Sequence, residues 1–107
     1  MKIGIILGTN ESEIVWNAYR FANISLKANH EVTFFLINVG VDIENIKDEK
    51  FNVQKQIEIF INNNGHILAC KTCLKSRNKQ GSNVCSISTM NNLLKLIEKS
   101  DKVLTFG

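Results

Sequence analysis

Lys2-Ile3-Gly4-Ile5-Ile6-Leu7 is the stretch that decides the fold, and Gly8-Thr9-Asn10 follows it directly. A nearly continuous apolar run of this length is typical of a strand that is covered on both faces. From Glu11 to Ala28 the apolar residues change to helical spacing, which predicts a helix, and Asn29 suits the left-handed position that ends one. The predicted buried stripe of this helix consists of Ile14, Ala18, Phe21, Ala22 and Leu26.

The alternation of strand and helix continues to the end of the chain. Residues 31–39 are rich in β-branched and aromatic side chains and predict a second buried strand, and residues 40–48 form a polar connection. Further strands are predicted at 66–69, 84–87 and 102–106, and further helices at 51–63 and 70–77. Ser88 or Thr89 is expected to cap a last helix, whose predicted buried stripe is Met90, Leu93, Leu94 and Ile97.

This order of elements predicts an α/β protein. Right-handed crossovers between successive strands build a parallel sheet with helices on both faces. We therefore expect a three-layer α/β/α sandwich around a mostly parallel sheet of four or five strands, with residues 1–107 as one domain.

Composition and charge exclude several classes of function. The chain has 107 residues, 13 basic and 10 acidic, and its net charge of +3 is too mild for a nucleic-acid-binding face. No apolar run approaches the ~18 residues needed to cross a bilayer, and the first residues do not form a signal peptide. We expect a cytoplasmic protein that binds neither membrane nor nucleic acid, and the odd number of cysteines, 3, excludes a complete disulfide framework within the chain.

The most informative motif is Cys70-Lys71-Thr72-Cys73, at the point where the third predicted strand ends and a short helix begins. Ligand and catalytic sites gather at the carboxyl ends of parallel strands, and helix N-terminal N–H groups favour an anion such as a thiolate. Because the thiolate is the reactive form of cysteine, Cys70 is the candidate nucleophile and Cys73, one helical turn on, its candidate partner. The residues expected to line a pocket around them are Thr9, Asn10, Asn38, Lys71 and Cys85.

Other chemistries of these cysteines stay open. A CxxC motif suggests thiol–disulfide exchange, although here it follows the third strand and the chain has no proline to form a thioredoxin-type cis-proline loop. A zinc site would need Cys70, Cys73, Cys85 and a distant His66, so we predict no metal and no cofactor. The cysteines are also compatible with a role as small buried apolar residues.

Motifs along the whole chain resemble those of DsrE/DsrF-like proteins, in the DsrEFH/TusBCD superfamily. The segment Gly8-Thr9-Asn10-Glu11, followed by Val15 to Asn23, is similar to the first helix of that family. His30-Glu31-Val32, the strand from Phe34 to Gly40 and the motif Ala69 to Arg77 continue the match. Ser88-Thr89-Met90 and Ser100 to Phe106 resemble the closing helix and strand.

The resemblance implies a function. In the sulfur-relay branches of this family, a cysteine at the end of the third strand carries sulfur as a persulfide, and Cys70 matches that position. Cys73 matches a second cysteine found in many members, whereas Lys71 stands where many relatives have a small residue. The resemblance implies a sulfurtransferase-like carrier with sulfur donor and acceptor proteins as partners. A thiol–disulfide redox protein using Cys70 and Cys73 and a non-catalytic oligomeric binding module remain the alternatives.

The resemblance also implies a homotrimer or homohexamer. The aromatic residues of the first helix favour an oligomer independently. Trp16, Tyr19 and Phe21 span most of the circumference of that helix and cannot all point into one core. We expect some of them to contact another subunit.

Overall fold

The computed structural model describes residues 1–107, and its strands and helices alternate as predicted. The strands are β1 (Lys2–Leu7), β2 (Glu31–Leu36), β3 (His66–Cys70), β4 (Ser86–Ser88) and β5 (Lys102–Phe106). The helices are α1 (Ser12–Lys27), α2 (Val53–Asn62), α3 (Lys71–Ser76) and α4 (Met90–Lys99), together with a 3-10 helix, Asn38–Asn45. The five strands form one sheet in the order β4-β3-β2-β1-β5, and every neighbouring pair is parallel. The predicted α/β architecture is confirmed.

The main core lies between the sheet and the layer formed by α1 and α2. The register places Ile5 of β1 beside Phe34 of β2, so both side chains point to this face. The ring of Tyr19 stacks on Phe34 with centroids 4.0 Å apart, and Phe60 of α2 meets Tyr19 edge-on at 5.4 Å. All three rings are fully buried, and stacked and edge-on arrangements are the favoured ones for aromatic pairs.

The opposite face of the sheet is covered by α4. Gly4 alternates with Ile5 along β1 and so points to this second face. A Cβ built on Gly4 would lie 3.4 Å from Leu96 Cγ and 3.0 Å from Ser100 Oγ. The missing side chain therefore lets α4 approach β1 closely, and this contact completes the three layers.

The buried stripe of α1 differs from the prediction. The buried residues are Val15, Ala18, Tyr19, Ala22 and Ser25. Ile14 and Phe21, which were predicted to be buried, are 38% and 40% exposed. A helical repeat of 3.6 residues permits two overlapping apolar stripes on this helix, and the one that contains the large ring of Tyr19 packs against the sheet.

The prediction for the last helix was also wrong in part. No residue of α4 is buried, and Met90, Leu94 and Ile97 are 55%, 56% and 41% exposed. Only Leu93 and Leu96 pack against the core. The physical reason is the rotation of the helix: at 100° per residue, Leu93 and Leu96 turn toward the sheet, and the other three residues lie on one flank of α4.

The connection after β2 differs from the predicted loop. The strand ends at Leu36 rather than at Val39, and Asn38 adopts a left-handed φ of 53° as the 3-10 helix begins. A Cβ on Gly40 would collide with the carbonyl oxygen of Leu7, so the absence of a side chain lets this helix lie against the end of β1. The short strand predicted at 84–87 is β4, which begins two residues later and ends one residue later. None of the helices is both long and apolar enough to cross a bilayer.

Candidate functional site

The cysteine pair lies where β3 meets α3. Cys70 is the last residue of β3 and immediately precedes α3, and Cys73 lies one turn into that helix. Both are free thiols, and Cys70 is buried, with 2% of its surface exposed, whereas Cys73 is half-buried. No side chain caps the start of α3. No side-chain acceptor therefore competes with the cysteine sulfur atoms for the N–H groups of the first turn.

The two thiols interact. Burial raises the pKa of Cys73 above its usual value of 9.0, and the hydrogen-bonding thiol of Cys70 raises it further. The backbone N–H of Asn38, which donates to Cys73 Sγ at 3.2 Å, and the charge of Arg77 oppose this rise in pKa. Cys73 is therefore a protonated thiol at neutral pH, and it lies close to the thiol of Cys70.

Asn38 is the predicted pocket residue that contacts the cysteine pair directly. Its contribution is the backbone N–H, which the left-handed conformation turns toward Cys73. Its side chain lies toward the end of β1, where a Cβ on Gly8 would be 3.7 Å from Asn38 Nδ2. The ends of β1, β2 and β3 thus meet at one edge of the sheet.

The other predicted pocket residues lie around this edge. Thr9 Oγ1 accepts the backbone N–H of Glu11 at 3.0 Å, and Thr9 lies against Gly107, beyond the end of β5. Lys71 is exposed on the first turn of α3, and its ammonium forms no ion pair. Asn10 lines a polar cavity of about 270 Å³ whose other lining residues are Ser12, Asp42, Asn45, Ile46 and Lys47.

Cys85 has different surroundings. Burial, followed by the carboxylate of Glu44, raises the pKa of Cys85 to about 12, and a hydrogen bond involving Ser82 offsets only part of this rise. Burial also raises the pKa of Tyr19, with Cys85 and Glu44 as lesser causes. Cys85 is therefore a protonated thiol over the whole physiological range.

Ser88 was missed as a site residue by the sequence analysis, which considered it only as a helix cap. It pairs in register with Cys70 on the adjacent parallel strand, so the two side chains point to the same face. Ser88 is 2% exposed, and its hydroxyl has no hydrogen-bond partner, which costs about 1–3 kcal/mol for a buried polar group. The cap is provided instead by Thr89, whose Oγ1 accepts the N–H of Asn92 at 3.3 Å.

The segment after α3 is bound to the 3-10 helix. Lys79 Nζ contacts Asp42 Oδ1 at 2.5 Å, and Ser82 Oγ donates to Glu44 Oε1 at 3.0 Å. The hydrogen bond from Lys79 is the largest cause that holds the pKa of Asp42 below its usual value of 3.8. These contacts bind residues 79–82 to the 3-10 helix, which also supplies the Asn38 N–H. No group of three or more His, Cys, Asp or Glu side chains is arranged to hold a metal ion.

The fold and site together define a small parallel α/β protein with a pair of interacting thiols at the carboxyl edge of its sheet. The model of the DsrE/DsrF-like family matches residues 1–106, and the chain belongs to that family. The crystal structure of the YchN protein from E. coli is similar to it, with a TM-score of 0.86, 28% identity and coverage of 99% of both chains. The uncharacterized protein MJ0989 of Methanocaldococcus jannaschii is 27% identical over 100 residues, which are 88% of each chain.

Proposed function

We propose that this protein is a sulfur carrier that holds sulfane sulfur as a persulfide on Cys70 and passes it to the thiol of a partner. The observation that supports this most is the interacting pair Cys70 and Cys73 at the end of β3. The DsrE-like family is generally related to sulfur relay, so the pair lies in a chain of the appropriate family.

The chemistry is an exchange of sulfur with no net oxidation. The Cys70 thiolate attacks the outer sulfur of a donor persulfide, R–S–SH, and a new S–S bond forms as the S–S bond of the donor breaks. The donor leaves as the thiolate R–S⁻, and Cys70 holds –S–SH. An acceptor thiolate then attacks that outer sulfur in the same way, and Cys70 leaves as a thiolate.

Cys73 has two roles in this proposal. As a protonated thiol it donates a hydrogen bond to Cys70, which favours the thiolate required for attack. When no acceptor arrives, deprotonated Cys73 attacks Cys70 Sγ, releases the outer sulfur as hydrosulfide and leaves a Cys70–Cys73 disulfide. Since Cys73 is half-buried and Cys70 is buried, we expect donors and acceptors to approach from the side of Cys73.

We further propose that a second copy of the chain covers α4 and β5. The exposed apolar side chains on these two elements are Met90, Leu94 and Ile97 of α4 and Val103 and Leu104 of β5. Val103 is level with Gly4 in the register and so points to the same face of the sheet as α4. The strand β5 is also an edge strand, and exposed apolar edges are normally covered in native proteins. The assembly expected from the family resemblance is a homotrimer or a homohexamer.

A thiol–disulfide redox protein is the second candidate. It is favoured by the same pair, because Cys70 and Cys73 lie close together and the Cys70 thiol affects the pKa of Cys73. The two candidates differ in the mass of the product when Cys73 is replaced, because only the carrier then retains an added sulfur.

The test is intact-mass spectrometry of the full chain and its three single Cys→Ser variants, before and after a sulfane-sulfur donor is added. The carrier function predicts a gain of about 32 Da that a reductant removes. Cys70→Ser abolishes the gain, Cys85→Ser retains it as the matched control, and Cys73→Ser retains it for longer because the resolving thiol is lost. Full loading of Cys70→Ser contradicts the proposal. A loss of about 2 Da in the parent chain, together with no gain in Cys73→Ser, favours the redox protein.

A further inference from the structure

The hydroxyl of Ser88 is a buried polar group with no structural use. Ser88 is 2% exposed, and its Oγ has no hydrogen-bond partner. Thr89 caps α4, so Ser88 is not needed for that purpose. A buried hydroxyl without a partner is unusual in native structures, and it indicates either a functional group or a missing ligand.

The position of Ser88 identifies the group that it faces. Cys70 and Ser88 are the last residues of β3 and β4, and they are directly paired in the parallel register. Neighbouring strands lie about 4.8 Å apart, and paired side chains point to the same face. Rotation about its single side-chain torsion is the movement by which serine can redirect its Oγ.

We infer that the Ser88 hydroxyl donates a hydrogen bond to the thiolate of Cys70, both when it attacks a sulfur donor and when it leaves at the end of transfer. The inference rests on the proposed function for its purpose, but the hydrogen bond can be measured without any sulfur donor. In the structure the hydroxyl has no hydrogen-bond partner. Once the negative charge forms on Sγ, the same hydroxyl has an anionic acceptor beside it.

The expected effect follows from the strength of such a bond. A hydrogen bond to a charged group changes the equilibrium between thiol and thiolate by about tenfold. The intrinsic nucleophilicity of a thiolate falls as the thiolate is stabilised, with a Brønsted coefficient of about 0.4–0.5, so the net change in reaction rate is only about threefold. Loss of the hydroxyl should therefore lower the thiolate population more than the rate of alkylation.

The experiment uses a chain in which Cys70 is the only thiol, made with Cys73→Ala and Cys85→Ala so that no new hydroxyl is introduced. Ser88→Ala removes the hydroxyl, and Ser88→Thr and Ser88→Val form a pair of equal shape that differs only in having it. Ser86→Ala is the matched control, because Ser86 lies on the same strand and face but pairs with Leu68. The readouts are the thiolate absorbance and the rate of alkylation at neutral pH.

We expect Ser88→Ala and Ser88→Val to lower the thiolate absorbance about tenfold and the alkylation rate about threefold, whereas Ser88→Thr and Ser86→Ala retain both values. Thermal unfolding should show no loss of stability in Ser88→Ala, because the hydroxyl makes no bond in the resting protein. If Ser88 had only a structural role, Ser88→Ala would lose stability and would keep the thiolate absorbance and the alkylation rate of the parent. Equal thiolate absorbance in Ser88→Ala and the parent, or equal losses in Ser88→Thr and Ser88→Val, would overturn the inference.

Loading of the otherwise unchanged chain with a sulfane-sulfur donor separates this inference from the proposed function. If the chain loads but Ser88→Ala has a normal thiolate population, the carrier function stands and the role of Ser88 is overturned. If the chain takes up no sulfur but Ser88→Ala loses thiolate, the hydrogen bond is supported and the carrier function is overturned.

Discussion

At the scale of single residues, Cys70 and Cys85 are both buried thiols with different surroundings. Cys70 lies beside a second thiol and an unpartnered hydroxyl at the end of a strand. Cys85 lies near the carboxylate of Glu44 and the buried ring of Tyr19. Negative charge and burial both disfavour a thiolate at Cys85, which is why the proposed chemistry does not use it.

Cys85 provides a test that is independent of sulfur chemistry. Its pKa is raised to about 12 in the folded chain, whereas an unfolded cysteine titrates near 9.0. Between these values the unfolded state binds fewer protons than the folded state, so the contribution of Cys85 to stability is complete below pH ~9 and is lost as the pH rises. From pH 9 to 10 the free energy of unfolding should fall by about 1 kcal/mol more in the parent chain than in Cys85→Ala.

The measurement is urea denaturation under reducing conditions at each pH. The quantity compared between the two chains is the slope of the free energy of unfolding against pH. Cys85→Ala also lowers the free energy of unfolding because it truncates a buried side chain, but this loss does not depend on pH. Restricting the range to pH 10 keeps Tyr19, whose pKa is also raised, from dominating the result. Parallel pH profiles for the two chains would show that Cys85 is not titrating as the structure indicates.

The residues of the site could be predicted unequally from the sequence. The spacing of Cys70 and Cys73 on one helical turn was enough to predict that they lie close together, because that geometry is local. Ser88 could not be found in this way, since its place beside Cys70 depends on the register between β3 and β4. The role of the Asn38 backbone N–H could not be predicted from the sequence either, because it depends on a left-handed conformation rather than on the side chain.

At the scale of elements, the 3-10 helix positions the site, and Gly40 permits its close approach to β1. In Gly40→Ala the new Cβ meets the backbone oxygen of Leu7, which cannot move without disturbing the sheet. We expect a loss of about 1–3 kcal/mol in the free energy of unfolding, as for other overpacked positions. The Cys73 thiol should also become more reactive to alkylation, because its covering element is displaced.

Val39→Ala is the control for this prediction. Val39 is adjacent to Gly40 but 39% exposed, so its truncation should change the free energy of unfolding by no more than about 0.5 kcal/mol. Both variants are measured by chemical denaturation and by the rate of Cys73 alkylation. Gly40→Ala with the stability and reactivity of the parent would contradict the close packing of this helix on β1.

At the scale of the whole molecule, the exposed apolar set on α4 and β5 leads to a prediction about assembly. Leu94 is 56% exposed, so Leu94→Glu should leave the fold of one chain intact while placing a charge in the proposed contact. We expect sedimentation at micromolar concentration to show a trimer or hexamer for the parent chain and smaller species for this variant.

Asn92→Glu is the matched control, because it introduces the same charge on the other flank of α4, where 100° per residue places it away from Leu94. It should sediment like the parent. A parent chain that is monomeric at micromolar concentration, or a Leu94→Glu variant that assembles as the parent does, would contradict the proposed contact.

The architecture of the whole molecule was predictable because each strand and helix has a strong local pattern. Burial of the helix faces was less predictable. In α1 two apolar stripes overlap, and only the partners Phe34 and Phe60 select the one that contains Tyr19. In α4 the helix turns only Leu93 and Leu96 toward the sheet, so the remaining apolar side chains of the predicted stripe stay exposed.

The central claim, that Cys70 carries sulfur, is tested most directly by locating the added sulfur in the unmutated chain. Lys71 lies between the two cysteines of the motif, so trypsin places Cys70, Cys73 and Cys85 in separate peptides, 56–71, 72–75 and 80–95. The chain is loaded with a limiting amount of sulfane-sulfur donor, alkylated, digested and analysed by mass spectrometry. We predict that the extra sulfur, about 32 Da, lies on peptide 56–71. Its appearance on either of the other two peptides, with peptide 56–71 unmodified, would contradict the account.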